Sequence, residues 1–158
     1  CDMGSELYCY ASDITNSFPA SGTFTADQRL IFETVAAMQS AVLGAMRSGV
    51  QWAAMHELAY RVLCERLAAA GLLVGDVDAL MAANVAAVLM PHGLGHFMGI
   101  DTHDVGGYPK GAVRDSREGF KNLRAQRELK PGNVLTVEPG IYFIDYTLTK
   151  AKEDPQLA

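Results

Sequence analysis

The sequence predicts an α+β fold, and three observations carry that prediction. Two long stretches in the first half place apolar residues at helical spacing behind recognisable caps. Short alternating or β-branched segments flank them on both sides. Beyond Val85, glycine and proline divide the chain into short pieces that favour strands and turns. With 158 residues and 49% hydrophobic content, the chain has enough apolar material for one buried core.

Glu6 to Thr15 is expected to form one strand, with Leu7, Cys9, Ala11 and Asp13 on one face and Tyr8, Tyr10 and Ser12 on the other. Met3-Gly4-Ser5 supplies a turn ahead of it, which would put Asp2 on a preceding antiparallel strand. Phe18-Pro19-Ala20-Ser21-Gly22 breaks the pattern. Thr25-Ala26-Asp27-Gln28 has the spacing of a capping box and opens a long helix. Its apolar stripe is Ile31, Val35, Met38, Val42 and Ala45, and it stops near Ser48-Gly49. A second helix is predicted from Trp52 to Ala70, broadly buried through Met55, Leu58, Ala59, Val62, Cys64 and Leu67. Gly71 stands where a C-terminal cap glycine belongs. A shorter helix is expected from Val77 to Ala83. Val134 to Tyr142 reads as a strand bent by Pro139-Gly140, and Asp154 to Ala158 carries no final packed element.

The formal net charge of −5 argues against a nucleic-acid partner, which demands clustered Lys and Arg. No apolar run reaches the roughly 18 residues of a membrane helix, so no membrane partner is expected. Cys1, Cys9 and Cys64 lack CxxC spacing and read as reduced, partly buried thiols of a cytoplasmic protein. No signal-peptide pattern and no initiator Met open the chain, which reads as an internal segment.

Four residues draw the eye chemically. Asp2, Asp13, His96 and Glu138 offer three carboxylates and one imidazole, a donor set suited to two hard or borderline divalent cations sharing an activated water. Asp13 lies in an apolar strand, where a carboxylate is costly unless paired, hydrogen-bonded or metal-bound. Glu138 follows a β-branched run and reads equally as a ligand, a general base or a structural ion pair. His92-Gly-Leu-Gly-His96 is not the helical HExxH motif, because Gly93 replaces Glu and two glycines disfavour a helix. The glycines are expected to bend the backbone so that imidazoles converge. His103 follows closely, whereas His56 sits on a predicted helix and reads as structural. Arg124, in a charged stretch with Lys121, Arg127 and Lys130, reads locally as part of a solvated face.

Taken in order, five segments resemble the prolidases, the Xaa-Pro dipeptidases of the pita-bread metallopeptidase family. They are Asp2-Met-Gly, Ala-Ser-Asp13-Ile-Thr with Ser-Phe-Pro, and Met-Pro-His92-Gly-Leu-Gly-His96-Phe-Met-Gly-Ile. His103-Asp-Val-Gly-Gly-Tyr-Pro and Leu-Thr-Val-Glu138-Pro-Gly-Ile-Tyr-Phe complete the set. The resemblance implies a pita-bread catalytic domain with two metal ions, usually manganese, held by two Asp, one His and two Glu. Asp2 would bind one metal, Asp13 would bridge both, and His96 and Glu138 would bind the other. A shared hydroxide would attack the carbonyl of an Xaa-Pro bond, with Glu138 managing its proton. His92 and His103 match histidines near the substrate and the tetrahedral intermediate.

Arg124 matches an arginine that recognises the carboxylate of a C-terminal proline, which replaces its local reading as a solvated charge. The implied substrates are dipeptides ending in proline, and the implied full-length state is a homodimer. Residues 1–158 would form part of the catalytic domain, incomplete at both ends, with the family's N-terminal domain outside the chain. The family's second bridging Glu belongs to a later strand; Glu153 comes too early and is not assigned. The segment alone is therefore expected to be inactive. Two relatives on the same plan stay open: an aminopeptidase P-like enzyme cleaving longer Xaa-Pro peptides, and a non-catalytic pita-bread binding protein.

Overall fold

The structure, a computed structural model, describes residues 1–154. Its frame is helical. α1 (Ala26–Ala45) begins at a complete capping box in which the Thr25 hydroxyl accepts from the Gln28 N–H and the Gln28 side chain accepts from the Thr25 N–H. It buries Thr34, Met38 and Val42 against α2 (Trp52–Ala69). α2 is the axis of the core: Trp52, Met55, Ala59, Tyr60, Leu63, Cys64 and Leu67 are all buried. It ends in a Schellman motif, with Gly71 at φ +73° and the Leu72 and Gly71 N–H groups donating to the carbonyls of Leu67 and Ala68. α3 (Val77–Ala82) starts at Asp76, whose carboxylate accepts from the N–H groups of Asp78 and Ala79. Among the described residues, no helix is long and apolar enough to cross a membrane.

Several expectations require correction. The predicted strand over Glu6 to Thr15 is a hairpin followed by a second pairing. β2 (Glu6–Leu7) and β3 (Tyr10–Ala11) are joined through Tyr8 and Cys9, both at positive φ (52° and 68°). Such two-residue turns favour Asn and Gly; here the Glu6 carboxylate stabilises the turn by accepting from the Cys9 N–H at 2.9 Å. Because the chain reverses at Tyr8-Cys9, Cys9 leaves the face assigned to it. Of the thiols, only Cys64 is buried, while Cys1 and Cys9 are exposed. β1 (Asp2–Met3) pairs antiparallel with β4 (Ile14–Thr15), setting Asp2 opposite Thr15.

Second, Ala86–Leu89 forms a short helix, α4, where strands and turns were expected. Alanine favours a helix, and the turn is secured by the buried Tyr60 hydroxyl, which donates to the Met90 carbonyl at 2.7 Å. Third, Asp145–Glu153 forms α5. None of its residues is buried, so no apolar stripe announced it; Asp145 in its first turn and Lys150 and Lys152 in its last complement the helix dipole. The expectation of no final packed element extends over residues 155–158, which lie outside the described residues.

The region after α4 is held by few regular elements. Segment 94–98 runs antiparallel to 134–138, with N–H···O bonds Met98 to Val134, Thr136 to His96 and Glu138 to Leu94 at 2.9–3.1 Å. Beyond Pro139 the chain leaves this ladder, and Tyr142 N–H donates to the Leu89 carbonyl. The expected strand over Val134 to Tyr142 is therefore paired only in its first half.

Candidate metal centre

The 94–98/134–138 ladder brings the His-Gly-Leu-Gly-His turn beside Glu138. Its close approach depends on Gly95, where a Cβ would collide with the Thr136 carbonyl oxygen. Neither Gly93 nor Gly95 has positive φ. Their contribution is lack of volume, rather than the left-handed bend that glycine permits. The Ala11 N–H donates to the Gly99 carbonyl at 2.8 Å, docking the β2–β3 hairpin and bringing Asp13 against His96. The Asp104 N–H donates to the Phe97 carbonyl at 2.9 Å and folds His103 back over the same place.

At the centre lies His96, whose side chain is 5% exposed. Its Nε2 is 3.1 Å from Asp13 Oδ2 and 3.1 Å from Glu138 Oε1. The His103 ring stands edge-on at 4.4 Å between centroids. Ligand atoms of Asp13, His96 and His103 all lie within 4.8 Å of one another. Asp2 stands one strand away: it is exposed, and its Oδ1 accepts from the Thr15 hydroxyl at 2.9 Å. Thus the geometry gathers Asp13, His96, His103 and Glu138 into one cluster and leaves Asp2 at its margin.

The donor set fits a divalent cation for a reason local to His96. Its Nδ1 is 2.9 Å from the Phe97 carbonyl oxygen, which can only accept, so Nδ1 carries the proton. Nε2 then points between two carboxylates and would offer its lone pair to a cation seated there. Two carboxylate oxygens and an imidazole nitrogen thus converge on one place, a donor set that suits a divalent cation. Thr136 organises the same atoms without facing the cleft. Its hydroxyl accepts from the His96 N–H at 3.0 Å and donates to Glu138 Oε1 at 2.5 Å. Gln39 on α1 donates to the Val137 carbonyl at 2.9 Å, anchoring this strand to the helical frame.

The cluster opens into a cleft of about 560 Å³. Its lining includes His92, His96, His103 and Glu138 together with three cations, Arg114, Lys121 and Arg124. His92 is half-buried, its Nδ1 donates to the Gly93 carbonyl at 2.8 Å, and Tyr142 packs edge-on against its ring at 5.3 Å. Its Nε2 is buried with no hydrogen-bond partner among the described residues. His56 lies apart, fully buried on α2 between the rings of Tyr60 and Phe120. Burial above all pulls its pKa down from 6.5 to about 3, so it is a neutral core ring at neutral pH. Thr136, Arg114 and Tyr142 escaped sequence reasoning. The Thr two residues before Glu138 was the available signal, since alternate strand residues share a face. Nothing local to Arg114 or Tyr142 distinguished them.

The model of metallopeptidase family M24 matches residues 1–154. The chain belongs to that family. The M24 chain is 59% identical over 157 residues to the Xaa-Pro dipeptidase of Homo sapiens, covering 99% of itself and 32% of that protein. It is 43% identical to the probable Xaa-Pro aminopeptidase pepP of Botryotinia fuckeliana, covering 98% of itself and 33% of that protein. Among solved structures it matches Pseudomonas aeruginosa aminopeptidase PepP with TM-score 0.78 and 40% identity, over 96% of itself and 32% of that chain. Zinc-substituted E. coli aminopeptidase P in complex with product matches with TM-score 0.74 and 36% identity, over 94% and 30% of the two chains. The α+β fold is thus the pita-bread fold of M24, and the chain spans about a third of the length of these relatives.

Proposed function

We propose that the complete protein is a dipeptidase that hydrolyses Xaa-Pro dipeptides with two divalent metal ions, manganese in the first instance. The observation that carries this reading is His96 Nε2, held between Asp13 and Glu138 in a cleft that Arg114, Lys121 and Arg124 also line. Asp13, His96 and Glu138 would hold the metals, with Asp2 completing the set from the neighbouring strand. Bound there, two cations would supply an activated water and a Lewis acid for the scissile carbonyl.

The remaining work falls to the chain's own side chains. Glu138 holds and releases the proton that must reach the leaving imide nitrogen. His103 donates to the peptide oxygen as charge develops on it, while His92, whose Nδ1–H is spent on the Gly93 carbonyl, stands near the substrate. Arg124 grips the carboxylate of the C-terminal proline with its forked guanidinium. A proline imide has no N–H to offer a strand-like binding site, so recognition by the terminal carboxylate replaces backbone pairing. The dipeptidase reading is favoured over cleavage of longer peptides by the 59% identity to the human dipeptidase against 43% to the fungal aminopeptidase.

The test is hydrolysis of Gly-Pro by the complete gene product with and without manganese, beside Asp13→Asn and a Gly-Pro-Xaa tripeptide. Metal-dependent cleavage of the dipeptide, lost in the variant, supports the reading. Cleavage of the tripeptide alone transfers the protein to the aminopeptidase class, and cleavage of neither overturns both.

A further inference from the structure

The segment that brings Arg124 to the cleft is held by two residues that the proposed function leaves unused. Arg114 Nη1 donates to the Leu123 carbonyl oxygen at 2.6 Å and to the Lys121 carbonyl at 3.0 Å. The Tyr108 hydroxyl donates to the same Leu123 oxygen at 2.7 Å. The Arg114 guanidinium lies 4.3 Å over the Tyr108 ring, so the two donors brace each other. Both lone pairs of the Leu123 carbonyl are thereby occupied, one by a charge-assisted bond. This carbonyl belongs to the peptide unit immediately before Arg124.

The surrounding contacts point the same way. Gly107 packs directly against the Arg124 carbonyl with no room for a Cβ, and the Gln126 N–H donates to the Gly107 carbonyl at 2.8 Å. Asn122 Nδ2 donates to the Pro91 carbonyl at 2.7 Å, tying the segment to the His92 turn. Residues 123–126 belong to no helix or strand, so their rigidity must come from such bonds. A guanidinium that is to meet a carboxylate in a forked geometry tolerates little displacement of its backbone.

We propose that Tyr108 and Arg114 form a clamp on the Leu123 carbonyl that positions Arg124 at the cleft rim for the substrate carboxylate. This rests on the reading of Arg124 given above. Arg114 is a positioning residue here, and its loss weakens substrate binding more than it slows bond cleavage.

The test uses the complete gene product and two readouts. Amide hydrogen exchange over residues 121–126 is expected to accelerate about tenfold in Arg114→Ala and about threefold in Tyr108→Phe, with α1 and α2 unchanged. For Gly-Pro, Arg114→Ala is expected to raise KM about tenfold while kcat changes by less than about threefold. In an Arg124→Ala background the same substitution should raise KM by less than about twofold, because the residue it positions is gone. Unchanged exchange at 121–126 in both single variants would overturn the clamp. An equal KM increase in both backgrounds would also overturn it, showing that Arg114 acts without Arg124. A wild-type protein inert toward Gly-Pro would overturn the dipeptidase reading and the carboxylate role with it, whereas the exchange data decide the clamp independently.

Discussion

The helical frame, α1 and α2, and the segment from Met90 to Tyr142 solve the same problem by different means. In the frame, backbone groups are satisfied within each helix, and side chains such as Trp52, Leu63 and Leu67 are free to be apolar filler. In the later segment, regular pairing is sparse, and side chains satisfy the backbone instead: Tyr60 on Met90, Asn122 on Pro91, Tyr108 and Arg114 on Leu123, Thr136 on His96. The frame therefore sets stability, while the segment sets the placement of particular atoms. All the clustered site residues except Asp13 sit in the second region.

That division can be broken by substitution in the complete gene product. Trp52→Ala should cost about 3–5 kcal/mol in denaturant unfolding, because it empties a fully buried site in the frame, while the metal affinity of the folded protein stays near that of wild type. Thr136→Val should do the reverse. It removes the hydroxyl linking His96 to Glu138 at almost constant volume, and manganese affinity by calorimetry should fall roughly 10–100-fold. Similar losses of affinity in both variants would dissolve the distinction.

His56 sharpens the comparison, since its ring joins α2 to Phe120 of the later segment. The folded protein holds it neutral down to about pH 3, whereas the unfolded chain protonates it near 6.5. Between those values the unfolded state binds the extra proton, so this contribution to stability is present above pH 6.5 and is lost on acidification. Lowering the pH from 7 to 5 should cost about 2 kcal/mol through this group, and His56→Phe should remove that share of the pH dependence in urea midpoints. The smallest effect is expected at the helix cap: Thr25→Ala should cost about 1 kcal/mol of stability and leave metal affinity unchanged.

The same contrast governs what the sequence made legible. α1, α2 and α3 were readable because caps and 3.6-residue periodicity are local signals, as Thr25, Gln28 and Gly71 illustrate. The hairpin turn at Tyr8-Cys9 was not, because its residues lack the usual left-handed preference and a neighbouring Glu6 holds the turn. Helix α5 was hidden by the absence of a buried face. Within the candidate site, residue types announced themselves while their company did not. His103 stands against His96, and Asp2 stands aside on β1, for reasons that reside in strand pairing and backbone contacts across the fold. Arg114 was invisible because its role is exercised through the carbonyls of Leu123 and Lys121, which no side-chain pattern encodes.

One consequence of the His96 arrangement lies in linkage. His96 meets Asp13 across 83 residues of sequence, and its N–H meets Thr136 across 40. An unfolded chain holds no such constellation, so a cation seated there binds the native state alone. Mass action then makes the ion a contributor to folding: at a hundred times its dissociation constant it adds about 2.7 kcal/mol to the native state. A chelator would be felt at Trp52 as well as at His96, lowering the melting temperature of helices that never touch the metal.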